Sequence, residues 1–319
     1  MAAGGGTRAI IAAMLANAGI AAAKFLAYIA TGSASMLAES IHSVADTANQ
    51  GLLLLGGRRA ARVADDRHQF GYGRERYFWA FIVAMVLFAL GGLFSVYEGI
   101  EKIRHPHEVE SLYWAIGVLV FAIVAETFSF RTAIAESNKV KGNRSWFDFI
   151  RKSRSPELPV VLMEDAGALI GLVFALIGVG LTAITGDPLW DGLGTLAIGI
   201  LLIVISIVLT IEMKGLLIGE AATQEHIAAI TAAVTQSPAV TRVISLKTQH
   251  IGPEELLVAG KIEFDRSLTN PQLSDAIDEV EAAIRAAVPL AIQIYLEPDL
   301  YDPEHVGTPD GPTTHDAGH

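Results

Sequence analysis

Residues 38–46, AESIHSVAD, set ionisable side chains inside a stretch apolar enough to lie in a bilayer. Helical spacing puts Glu39, His42, Ser43 and Asp46 on one face, because residues three and four apart are neighbours on a helix. His42 and Asp46, one turn apart, aim an imidazole and a carboxylate at one point. That is the geometry of a helical metal-binding pair, or of a single interhelical hydrogen bond. A charge at membrane depth costs about 2.5–3.5 kcal/mol at least, so such groups pair, line a cavity or bind an ion.

A second candidate segment, residues 160–171, reads VVLMEDAGALIG and carries adjacent carboxylates, Glu164 and Asp165, into an apolar run. Neighbouring helical residues point about 100° apart, so the two acids are not expected to serve one site equally, and either could pair with a basic group at the helix end. A third, residues 65–75 (DDRHQFGYGRE), combines Asp65 and His68 with two glycines. It reads either as a second metal site or as a tight turn. Glu126 lies inside an apolar run, which suits a proton or metal path or a pairing with Lys24. Asn17 and Asn49 read as outer ligands or, in preference, as interhelical hydrogen-bonding residues, Glu98 and Glu101 as a solvated face, and His250, His305, His315 and His319 as solvated side chains.

Composition narrows the chemistry. The 319 residues contain no cysteine, so there are no disulfides or thiolate sites, and His, Asp and Glu are the remaining good metal ligands. A net charge of -11 argues against a nucleic-acid partner, which would demand a basic surface. With 52% hydrophobic residues, the chain is too apolar for an ordinary soluble domain.

The elements that must position these residues follow from the apolar runs at about 8–30, 33–57, 77–103, 112–135, 159–185 and 189–213, each long enough to span lipid. The first is read as a span and not a signal peptide, since it carries Asn17 and Lys24 and runs directly into the next. Lys and Arg concentrate in the second and fourth links, which places both termini in the cytoplasm, and a bacterial inner membrane is the expected setting. Beyond residue 219 the pattern changes to helix 224–236, strands 240–249 and 256–265, helix 273–287 capped by Asn270 and Pro271, and strand 291–297. The expected fold is therefore a membrane all-α bundle of six transmembrane helices (1–215) plus a small α+β, αββαβ cytoplasmic domain (216–300). Residues 301–319 have a composition that cannot order itself.

Six spans, H-S-x-x-D on the second, H-x-F-G-Y-G-R-x-E after it, an acidic fifth span and an αββαβ tail together resemble the cation diffusion facilitator family over residues 8–300. His68, Phe70, Gly71, Gly73, Arg74 and Glu75 carry the most specific part. Residues 153–171 resemble the branch that includes mitochondrial-type zinc transporters of animals. The resemblance implies a homodimeric antiporter, not an enzyme, with no cofactor. It would exchange divalent metal for protons at a tetrahedral site to which the second and fifth helices each give a His-x-x-x-Asp pair. His42, Asp46 and Asp165 match that pattern, Asp165 through Gly171 six residues on, whereas Val161 stands where the second His belongs. The fourth ligand then comes from Glu164, Glu39 or water. Asp65 and His68 match the family's second site, but Tyr72 occupies its next His position. Lys261 and Tyr295 occupy tail positions where some members carry His.

Such ligands couple metal to protons, because loading requires neutral imidazole and ionised carboxylates. A rocking bundle would expose the site to each face in turn. Zinc is the first expectation, then manganese or iron(II), with cobalt admissible, since losing an imidazole favours harder ions. Two rival classes are a membrane metallohydrolase, against which stands the lack of H-E-x-x-H, and a non-transporting metal-binding scaffold.

Overall fold

The computed structural model describes residues 3–31, 34–106 and 112–302, in two compact units, Met1–Gly215 and Leu216–His319. The first unit is built from α1 (Ala3–Thr31), α2 (Ala34–Ala60), α3 (Glu75–Arg104), α4 (Leu112–Lys141), a short α5 (Trp146–Lys152), α6 (Glu157–Thr185) and α7 (Leu189–Ile218). Among the described residues, α1, α3, α4, α6 and α7 are long and apolar enough to cross a membrane. α2 has a comparable length of 27 residues but falls short on composition. Asp46, Asn49, Gln50, Arg58 and Arg59 lie within it. The six apolar runs thus yield five candidate spans and one long helix with a polar face.

α1 packs against α2, α4 and α6, α4 also packs on α6, and α2 touches α3. These neighbours turn polar groups inward: Asn17 and Lys24 of α1, Asn49 and Gln50 of α2, Glu126 and Ser129 of α4, and Glu164 and Asp165 of α6 are all buried. Leu15, Leu26, Phe128 and Ile184 are exposed on the outside of the same helices. Lipid tails are as apolar as these side chains, so helix association in such a unit relies on interior hydrogen bonds and close packing. The close packing is plain between α3 and α7. A Cβ on Gly99 would lie 2.6 Å from the Leu196 amide nitrogen, and one on Gly199 would lie 2.6 Å from that of Val96. Only glycine lets the two backbones approach this far. Within α3, Leu87–Leu93 is wound as a π-helix, a local widening that occurs where a residue is inserted in an α-helix.

The second unit runs α8 (Gln224–Thr235), β1 (Val240–Gly252), β2 (Glu255–Phe264), α9 (Asn270–Ala287), β3 (Ala291–Pro298). The sheet order is β1-β2-β3, with β1 and β2 an antiparallel hairpin and β2 parallel to β3 through the α9 crossover. Leu256, Val258, Ile262 and Phe264 of β2 meet Ile230 and Val234 of α8 and Ala276, Val280 and Ile284 of α9 in one core. The four-residue spacing on α9 is what a helix covering a sheet requires. Its cap is Thr269, in a capping box with Gln272, and not Asn270: the Thr269 backbone N–H and hydroxyl both donate to Gln272 Oε1, at 2.9 and 2.8 Å. His250 is also corrected. It is buried, its backbone N–H donating to Glu220 O at 2.8 Å and its Nδ1 lying 3.4 Å from Gly252 O, because β1 runs on under the segment entering the unit. His305, His315 and His319 lie outside the described residues.

Candidate metal centre

α2 brings Asp46, Asn49 and Gln50 to one face, three and four residues apart, and α6 meets them with Glu164 and Asp165. Asn49 donates to Glu164 Oε1 at 3.2 Å and Gln50 to Glu164 Oε2 at 2.9 Å. Asn17 of α1 donates in turn to Gln50 Oε1 at 3.4 Å. Glu164 is therefore held by both oxygens, and the amides tie three helices together. The expectation that Asn17 and Asn49 join helices describes what they do.

Asp165 is held differently. Ser129 of α4 donates to its Oδ2 at 2.6 Å, and the carboxyl group of Glu126 lies within hydrogen-bond reach of the same side chain, while Asn49 Oδ1 is buried without a hydrogen-bond partner. Glu126, one turn before Ser129, is 2% exposed and lies within the electrostatic reach of Asp165, Glu164 and Asp46. The ammonium of Lys24 donates to Ser43 Oγ at 3.0 Å. The four carboxyl groups thus belong to three helices and meet in the interior of the first unit.

The candidate residues divide accordingly. Asp46, Glu164 and Asp165 come together, joined by Glu126. The side chains of Glu39 and His42 lie outside the described residues, although α2 carries both in one continuous helix with Asp46. Among the described residues, no group of three or more His, Asp or Glu side chains is already arranged to hold a metal ion. Val161, one turn before Asp165, is fully buried and adds no ligand atom.

Neither Glu164 nor Asp165 pairs with a basic group at the end of α6. That role falls to Glu157, which forms a two-pronged ion pair with Arg76, Nε to Oε1 and Nη2 to Oε2 at 2.9 Å. Beside it, Trp79 donates to Glu75 Oε2 at 2.7 Å, Arg59 lies 5.2 Å over the Trp79 ring, and Tyr77 donates to Arg154 O at 3.1 Å. The Arg74-Glu75-Arg76 segment, which looked like part of a loop motif, is the clasp binding the end of α3 to α2 and α6. The helix-end spacing of Arg76 and Glu157 in the sequence gave no sign of this, because they lie 81 residues apart.

Asp65 and His68 lie in an exposed turn that leads into that clasp. Asp65 Oδ1 accepts from the backbone N–H groups of Arg67 and His68, at 3.0 and 2.8 Å, and Oδ2 accepts from the Tyr72 hydroxyl at 2.6 Å. The His68 and Tyr72 rings stack with centroids 4.4 Å apart. Tyr72 and the backbone donors hold the Asp65 carboxyl below the usual carboxylate range, and the same bond raises the Tyr72 phenol. Both oxygens close the turn, and Gly71, at φ +80°, supplies the left-handed residue it needs. In the second unit, Lys261 lies 3.4 Å from Asp299 Oδ2 and 3.8 Å from Glu297 Oε1, so a cation already faces the acids there.

Comparison with known proteins follows the same residues. The family model described as "Cation efflux transmembrane domain" matches residues 10–217. A Xenopus laevis protein described as "Proton-coupled zinc antiporter SLC30A9, mitochondrial" is 38% identical over 245 residues, 76% of this chain and 44% of that protein. The Homo sapiens protein of the same description is 36% identical over 245 residues, 76% of this chain and 43% of its own length. "Metal tolerance protein C4" of Arabidopsis thaliana is 28% identical over 260 residues, 81% of this chain and 57% of that protein. The chain thus spans less than half the length of the animal relatives. These relatives overturn the placement in a bacterial inner membrane: those at 36–38% identity are described as mitochondrial.

Proposed function

The chain belongs to the cation efflux family, whose model covers residues 10–217, and we propose that it carries divalent metal, zinc first, across a membrane in exchange for protons. The observation that carries this reading is the interior carboxylate centre where α2, α4 and α6 meet, formed by Asp46, Glu126, Glu164 and Asp165. Relatives described as proton-coupled zinc antiporters support the choice of metal and counter-ion. The family is one of transporters, which removes the hydrolase reading.

In this reading α2 is the sixth span, its polar face turned inward and paired as intramembrane charges must be. His42 and Asp46 of α2 and Asp165 of α6 are the metal ligands. Glu164, committed to Asn49 and Gln50, positions α6 against α2. Metal loading displaces protons from imidazole and carboxyl groups, and their return on the other side releases the metal. The Arg76–Glu157 clasp fastens one end of the bundle, so that movement exposing the site alternates about a fixed hinge region. The second unit serves as a dimerisation domain, a role for which its exposed Ile292 and Tyr295 offer apolar surface.

The test is zinc-driven proton movement in proteoliposomes holding the full chain and a pH-sensitive dye. Zinc added outside is expected to drive proton efflux from the lumen, and His42→Ala and Asp46→Ala are each expected to abolish it while the protein elutes unchanged on gel filtration. Near-parental flux in either variant removes that residue from the site, and no metal-dependent flux in the parent refutes transport.

A further inference from the structure

We propose that the link between α4 and α6 anchors the protein to anionic lipid, with Trp146 and Phe147 set among the acyl chains and the surrounding cations held to headgroup phosphates. The inference rests on the spans and not on the metal carried. α4 ends at Lys141 and α6 begins at Glu157, and both are long and apolar enough to cross a membrane. Residues 142–156 are therefore tethered at both ends to the water–lipid boundary. Inside this link lies α5, capped by Ser145, whose hydroxyl accepts from the Asp148 N–H at 3.0 Å. Phe149 is its buried residue, at 1% exposure, whereas Trp146 and Phe147 are exposed, Phe147 at 68%. Val140, in the last turn of α4, is exposed too. Adjacent aromatics left in water forfeit their burial, and segments that lie in the membrane interface place Trp and Phe about 5–10 Å into the boundary of headgroups and chains.

Charge is the independent sign. Between residues 137 and 155, Lys139, Lys141, Arg144, Arg151, Lys152 and Arg154 stand against the single acid Asp148, a net charge of +5 in a chain that totals -11. Each exposed ring carries one of these cations: Lys141 Nζ lies 5.1 Å over Trp146, and the Arg151 guanidinium lies 5.4 Å over Phe147. A ring with a cation on its face suits an interface, because the apolar body can enter the chains while the charge stays among phosphates. Acids do reach some of the cations. Lys139 pairs with Glu136, Arg151 lies 3.5 Å from Glu212, and Lys152 lies 2.8 Å from Asp148. Counting Glu136 and Glu212, the charge of the patch is still +3. The three cations are themselves exposed, and exposed pairs hold their partners weakly, so a headgroup phosphate can share them. A basic segment with exposed aromatics, fastened to two spans, is the complement of an anionic bilayer surface.

The experiment places the full chain in vesicles of equal parts phosphatidylglycerol and phosphatidylcholine, with the acyl chains of one or the other brominated so that only that lipid quenches tryptophan on contact. Quenching of Trp146 is the difference between the parent and Trp146→Phe, since Trp79, Trp114 and Trp190 remain in both. Brominated phosphatidylglycerol is expected to quench Trp146 as if it were enriched there at least about fivefold over phosphatidylcholine, the effect of one surface cation. Lys139→Gln, Arg151→Gln and Lys152→Gln combined in one chain are expected to bring the two lipids within about twofold of each other. The parent in about 1 M sodium chloride, where charges are screened beyond about 3 Å, should lose the preference without any substitution. That arm keeps the test intact if the triple variant does not fold. Trp146 unquenched by either lipid would mean that protein covers the ring, and the inference fails. Equal quenching by both lipids in the parent, or a preference that survives salt or the triple substitution, would equally overturn recognition of the anionic headgroup. None of these outcomes bears on zinc transport, which is read separately by proton flux.

Discussion

Glu164 and Asp165 are chemical neighbours with different employment, and substituting each to its amide separates the two. Asp165→Asn keeps an oxygen that can accept from Ser129 while removing the charge, so the protein loses little internal bonding and the metal loses a ligand. The expected loss of affinity is at least about tenfold, or about 1.4 kcal/mol. Glu164→Gln removes charge from a group whose two oxygens accept from Asn49 and Gln50. The new amide presents a donor where one of those donors already points. Hydrogen bonds in membrane helix bundles average about 0.6 kcal/mol and reach about 1.7, so disrupting one or two costs roughly 1–2 kcal/mol. For a unit of this size each kcal/mol lowers Tm by about 2–4 °C, giving a fall of about 2–8 °C. Zinc affinity by calorimetry and Tm by intrinsic fluorescence, measured on the same three proteins, provide the comparison. Asp165→Asn is expected to move affinity with little change in Tm, and Glu164→Gln to do the reverse. A larger affinity loss for Glu164→Gln would refute the reasoning and shift the ligand by one residue.

Val161→His would place an imidazole one turn before Asp165 and is expected to raise the zinc-to-manganese uptake ratio in proteoliposomes, at about 1–3 kcal/mol of overpacking cost because Val161 is fully buried; an unchanged ratio in a folded variant would mean that position does not face the site. Arg76→Ala leaves Glu157 charged and largely buried, and should destabilise by about 3–5 kcal/mol in denaturant titration, whereas a change under about 1 kcal/mol would show the clasp to be solvent-screened. The Asp65 turn gives a pH prediction: a carboxyl group held below its ordinary value contributes order that is present above about pH 3.9 and is lost as pH falls through the lowered folded value. Tyr72→Phe should return the Asp65 titration, followed by NMR, toward about 3.9, and an unmoved midpoint would show that the phenol is not the cause.

Amino-acid types at short range determined much of this protein. Apolar run length fixed the long helices, because a bilayer-spanning helix satisfies its own backbone and needs only lipid-compatible side chains. Alternation and four-residue spacing fixed the αββαβ order of the second unit, and the i, i+4 spacing of His42 and Asp46 marked the candidate face of α2. Composition was a poorer guide for α2 itself, whose inward polar residues dilute the apolar signal that identifies a span.

Pairings across long separations had to await the tertiary structure. Which of Glu164 and Asp165 is held by amides and which by a hydroxyl depends on Asn49 and Gln50 standing opposite one and Ser129 opposite the other, at separations of 115, 114 and 36 residues. Glu126 could be read only as an intramembrane acid suited to a path or to Lys24 until α4 was seen packed on α6, and the acid that pairs with a basic group at the start of α6 proved to be Glu157, through Arg76 of α3, instead of either candidate. Tyr72, by contrast, was visible as a departure in the loop, but its reason, a hydrogen bond to Asp65 seven residues away, required the turn to close. Periodicity specifies which face of a helix is polar; only the packing of helices decides which polar group meets which, since one rotation of an α-helix by a residue moves a side chain through about 100°.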